Sequence, residues 1–107
     1  MKAKELDQLN FKDYLSICYE DIEPHLLKEL DRLRSELKSI PDDPTQDFLL
    51  SKFEISVLNL NKIDQDESIE SRIDTEEREG LCEALYKMGT IVGLDEETEY
   101  LDNWRDW

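Results

Sequence analysis

The chain has 107 residues, 28 acidic and 13 basic, for a formal net charge of −15. That length fits one domain spanning 1–107, able to bury a modest core without disulfide or metal staples. The charge argues against direct binding to nucleic acid or to an anionic membrane, since either needs a positive footprint.

Three Gly and three Pro are too few for a sandwich or a linker-rich chain, and the many Leu, Glu, Asp and Lys point to helices. The first residues, MKAKELDQLNFKDYL, are charged throughout and hold no apolar stretch of a secretory signal. No run approaches the ~18 apolar residues of a membrane span. Cys18 and Cys82 are far apart and outside any C-x-x-C spacing, which reads as buried, reduced thiols in a cytoplasmic protein.

The clearest period comes first. Phe11, Leu15, Cys18, Ile22, Leu26, Leu30, Leu33, Leu37 and Ile40 step by three or four, a mean close to the helical 3.6. Pro24 falls inside this stripe. It either opens a second helix capped near Glu23 or kinks one long helix; the phase survives it, so both parts face one core.

Pro41-Asp42-Asp43-Pro44 is the first firm break, and Asp43-Pro44 suits a helix cap and first position. Leu50, Phe53, Val57 and Leu60 then step 3, 4 and 3, flanked by Leu49 and Ile63. The alternation Phe53-Glu54-Ile55-Ser56-Val57 leaves a strand open over 53–60. Without a candidate pairing strand, helix is the preferred reading.

Residues 64–72, DQDESIESR, form a polar interruption. Asp64 and Asp66 imitate the start of a Ca²⁺ loop, but the central Gly is missing and position twelve is Thr75. Asp74-Thr75-Glu76-Glu77 is a capping box, with acids suited to the positive helix end. Leu81, Leu85, Met88 and Val92 make the buried stripe; Gly93 ends the helix and Leu94 is the apolar contact beyond. Gly89, four before Gly93, suggests close helix packing. Asp95 then caps a final helix loaded with Glu96, Glu97 and Glu99.

The expected architecture is therefore all-α: a compact bundle of four or five helices, the first kinked or split at Pro24. Nothing diagnostic of catalysis accompanies it. His25 is the lone histidine, with no Ser or Cys near it in sequence that has an obvious orienting acid, and three Gly cannot build a phosphate loop. Carboxylates are too numerous for any pair to specify a dyad. Zinc would need more Cys or His than the chain has. No enzyme, metal or cofactor is expected.

The carboxylates themselves are the constellation. Residues 73–107 carry 11 acids against 3 bases, more than half of the net charge. Glu76, Glu79 and Glu83 step 3 and 4 along one helix; Glu96, Glu99, Asp102 and Asp106 step 3, 3 and 4 along the last. With Asp64, Asp66, Glu67 and Glu70 they are expected to form a negative face for a basic protein partner. Ordinary surface helices interleave signs, because like charges at i,i+4 cost a few tenths of a kcal/mol. A solvated face is the plainer alternative for either helix alone.

Tyr100, Trp104 and Trp107 share helical register on the final segment. Trp104 either plugs the bundle end or joins Trp107 as an aromatic anchor rimmed by carboxylates.

The stretches CYEDIEPHLLKEL and IDTEEREGLCEALYKMGTIVGL and the ending RDW resemble segments of small acidic helical bacterial proteins. In size and acidity the chain is similar to immunity proteins of toxin systems and to DNA-mimic inhibitors of the anti-restriction and anti-CRISPR type. This resemblance carries no family-specific residue. It implies a stoichiometric inhibitor of a basic toxin, a nuclease for instance, with DNA mimicry as the alternative and a small acidic metal-binding module or enzyme as the lesser one.

Overall fold

A computed structural model describes residues 2–41, 43–94 and 99–107. Among them are five α-helices and no strand: α1 (Lys2–Asp7), α2 (Phe11–Tyr14), α3 (Glu23–Lys38), α4 (Gln46–Gln65) and α5 (Thr75–Val92), followed by a 3₁₀ turn at Tyr100–Asn103. The radius of gyration, 13.3 Å, is close to the ~13 Å of a compactly folded chain this long.

The first stripe is split. Phe11, Leu15, Ile22, Leu26, Leu30, Leu33 and Leu37 are all buried, but only residues 11–14 and 23–38 of that span are helical. Pro24 stands in the first turn of α3, and the cap residue is Ile22, whose side chain makes no capping hydrogen bond. A proline there loses no intrahelical bond, so the helix begins at it rather than bending around it. The period also gave no hint of α1, which buries Leu6 completely; one leucine in a charged segment sets no period.

Residues 53–60 are helix, the reading preferred from the absence of a pairing strand. The start of α4 lies beyond the expected Asp43-Pro44. Asp43 takes a left-handed φ of 61°, and Thr45 is the cap, its hydroxyl accepting the Phe48 N–H at 3.1 Å. The inward stripe is as expected at Phe53, Val57 and Leu60, all buried; only at its start does the flanking Leu49 go fully inside while Leu50 is half-buried.

α4 packs chiefly on α3, and their contact holds a polar knot. Glu29, buried to 7% exposure, accepts from Arg32, from the Ser56 hydroxyl at 2.8 Å and from Asn59 at 3.2 Å. That bond keeps the Arg32 guanidinium above its ordinary pKa. A buried carboxylate needs such partners, since unpaired it costs several kcal/mol.

α5 follows its sequence signals closely. Leu81, Leu85, Met88 and Val92 are buried. Gly93 is left-handed at φ 104°; its N–H reaches the Thr90 carbonyl, while Leu94 N–H reaches the Gly89 carbonyl at 2.8 Å. This is the Schellman end that glycine permits. Gly80 and Gly89 allow close approach: an added Cβ would strike the Tyr14 carbonyl oxygen at the first and the Tyr100 hydroxyl at the second.

The expected final helix is corrected. Asp95, Glu96 and Glu97 lie outside the described residues, and Glu99 has a left-handed φ of 47°. The regular structure that follows is the single 3₁₀ turn, which buries Tyr100 and Leu101. The turn ends at Asn103 and residues 105–107 are not helical, so Tyr100, Trp104 and Trp107 do not share one helical face. The thiols are also less enclosed than expected: Cys18 and Cys82 are free and half-buried.

Candidate protein-binding surface

The surface begins at the N-terminus of α5. Asp74 caps the helix and Glu77 completes the box. Glu77 is 2% exposed: one carboxylate oxygen accepts the Asp74 N–H at 3.3 Å, the other the Tyr19 N–H at 3.1 Å. It thereby ties the loop of residues 15–22 to α5. From within the box onward, Glu76, Glu79 and Glu83 are all exposed along α5, and their 3 and 4 spacing puts them on one stripe. Lys87, also exposed, continues that stripe one turn past Glu83, so the acidic face ends there. Glu83 and Lys87 border a hollow of about 350 Å³ with Tyr14, Tyr86 and Thr90. Burial, and then the nearby Glu83 carboxylate, raise the Tyr14 hydroxyl above its ordinary pKa.

The loop between α4 and α5 divides its acids. Asp64 accepts the Ile73 N–H at 2.7 Å. Asp66 accepts the Ser68 N–H at 2.9 Å and its hydroxyl at 2.7 Å, bonds that hold it below the usual carboxylate range. These two hold the loop's own backbone, which buries Ile69 and Ile73. Glu67 and Glu70 are exposed.

The C-terminal acids are likewise in use. Asp102 pairs with Arg105 at 2.6 Å. Asp106 accepts from Gln65 at 3.2 Å, while Glu99 is exposed. Trp104 and Trp107 are half-buried against the core, and the Arg105 guanidinium lies 5.3 Å from the Trp107 ring. The aromatics face the protein and do not form a solvent-facing anchor. Of the expected residues, the structure brings Glu76, Glu79 and Glu83 together on one rigid helix.

What sequence reading missed is apolar. Ile17 is 66% and Tyr19 52% exposed, more than any other large hydrophobic residue described. With Cys18 and residues 74–77 they line an open groove of about 400 Å³ at the head of α5. The signal was present: Ile17 and Tyr19 fall off the stripe of Leu15, Cys18 and Ile22. Burial, followed by the Glu77 and Glu23 carboxylates, pushes the Cys18 thiol up to about 12. A neutral thiol is neither nucleophile nor metal ligand. Among the described residues no group of three or more His, Cys, Asp and Glu could hold a metal ion, and no helix is long and apolar enough to cross a membrane.

Comparison of the chain with protein-family models, with curated proteins and with solved structures finds no match.

Proposed function

We propose that this chain is a stoichiometric inhibitor of immunity type, which binds and neutralises a basic toxin such as a nuclease in the cytoplasm. The observation that carries the reading is the stripe of Glu76, Glu79 and Glu83, exposed on a capped helix whose head opens into the groove of Ile17 and Tyr19. Carboxylates on a rigid element meet the lysines and arginines of a substrate-binding face without first being ordered. The net charge of −15 speeds encounter with such a partner, up to ~10⁸ M⁻¹s⁻¹ at low salt. The groove adds apolar area beside the charged contact, as tight interfaces require.

The test is a titration of the cationic protein that the chain captures. Wild type should abolish its catalytic activity at one equivalent, with affinity falling as salt rises. The E76K/E79K/E83K variant should lose inhibition by at least about a hundredfold, since it reverses three contacts worth ~1 kcal/mol or more each. Equal inhibition by that variant would sink the proposal. Displacement of the chain by duplex DNA from a partner without catalytic activity would move the reading to DNA mimicry.

A further inference from the structure

The side of α4 turned away from the core carries a second, shorter apolar seam. Phe48, Ile55 and Leu58 point outward and are 39%, 48% and 42% exposed. With Ser51 and Lys62, both exposed, they step 3, 4, 3 and 4. That is the spacing of a helix that packs against another helix through heptad positions. Phe48, Ile55 and Lys62 then occupy a positions, and Ser51 and Leu58 occupy d. Asp47 and Glu54 fall at g, Lys52 and Asn59 at e.

We propose that this face is a self-pairing surface, through which two copies of the chain associate by parallel, in-register contact of their α4 helices. Charge selects the occupant. Residues 46–65 hold three acids and two bases, a balance of −1 in a chain of −15. Two copies repel each other over most of their surface and approach here at least cost. A strongly basic partner gains little from so neutral a face.

The flanks select the direction. In a parallel pair each g position faces an e position of the other helix, so Asp47 meets Lys52 of the second copy, twice by symmetry. An antiparallel pair centred on Ile55 would bring Glu54 against its own counterpart. Ile at a with Leu at d is also the two-stranded choice, and one Lys at an a position sets register at some cost in stability. Lys52 lies between this face and α3, its ammonium 5.3 Å from the centre of the Phe48 ring and 3.4 Å from a Glu36 carboxylate oxygen, so it turns from Glu36 toward Asp47 when the copies pair. The 20 residues of α4 offer a contact only ~30 Å long, which suits a weak, reversible dimer.

Sedimentation velocity on the full chain, from ~10 μM to ~1 mM in salt of ~0.15 M to screen the net charge, should show a monomer–dimer equilibrium. I55E should sediment as a monomer throughout. L58K provides the same readout should I55E lose helicity by circular dichroism. D47K and K52E should each weaken the dimer about tenfold, and the D47K/K52E double reversal should recover most of that loss. A wild type that stays monomeric at every concentration would overturn the proposal. So would a dimer indifferent to I55E and L58K, or a double reversal no better than the single ones.

Discussion

Asn61 of α4 holds the chain's last residues by their backbone. Its side-chain amide donates to the Trp104 carbonyl at 2.9 Å, and its oxygen accepts the Asp106 N–H at 3.1 Å. Asn61 is 6% exposed, so both bonds form where water competes poorly. This is what turns an acidic, aromatic ending into part of the fold.

Asn61→Ala should therefore do more than remove a side chain. Two backbone groups lose their partner, at about 1–3 kcal/mol of stability. The half-buried Trp104 and Trp107 should become more exposed to solvent. Urea denaturation followed by circular dichroism reads the first effect, and a red shift of tryptophan emission in the folded state reads the second. Unchanged emission would mean that the aromatic packing alone secures the ending.

Gly89 and Tyr100 form a pair whose members answer to each other. A Cβ on Gly89 would collide with the Tyr100 hydroxyl, and that hydroxyl is buried without a hydrogen-bond partner among the described residues. Gly89→Ala should cost about 1–3 kcal/mol by overpacking. Tyr100→Phe should be neutral or stabilising, because it removes an unpaired buried polar atom. The double variant should regain most of the loss, and a double-mutant cycle in chemical denaturation checks this. Gly80→Ala has no such rescue, since its obstacle is the Tyr14 backbone carbonyl.

The Cys18 thiol, raised from 9.0 to about 12, should resist alkylation. At pH 8 its thiolate fraction in the folded chain is ~10³ lower than in the unfolded one, and iodoacetamide should react more slowly by a similar factor. Mass spectrometry of native and urea-unfolded samples checks this. The raised pKa also sets a sign for stability. The folded state keeps its proton while the unfolded state releases it, so this contribution is present below pH 9 and is lost as pH rises toward 12. Cys18→Ser should flatten that alkaline decline.

Asp21 works at the opposite end of the pH scale. It accepts the Ser71 N–H at 2.9 Å and the Ser71 hydroxyl at 2.6 Å, which lower its pKa. A lowered folded pKa contributes stability above the unfolded value of about 4, lost as pH falls through the folded value. Asp21→Asn should make the thermal midpoint less sensitive to pH across that acid range. An unchanged acid profile would show that the loop is held without this carboxylate.

The sequence by itself determined the helices with strong periods. Asp74, Glu77 and Gly93 mark both ends of α5 because capping and the left-handed turn are local chemistry, readable within a few residues. The stripe from Phe11 to Leu37 named seven of the 22 buried hydrophobic residues described, since a period survives even where the helix is interrupted at residues 15–22. Tertiary structure decided what the carboxylates do. Asp66 and Asp102 find their donors within their own segments, at Ser68 and Arg105, but Asp64 closes onto the Ile73 N–H and Asp106 onto Gln65, 41 residues away. Glu29 is buried because Ser56 and Asn59, about thirty residues away, arrive from another helix to satisfy it. Charge is written in the sequence, but whether it faces a partner or closes a loop depends on which distant N–H or hydroxyl reaches it.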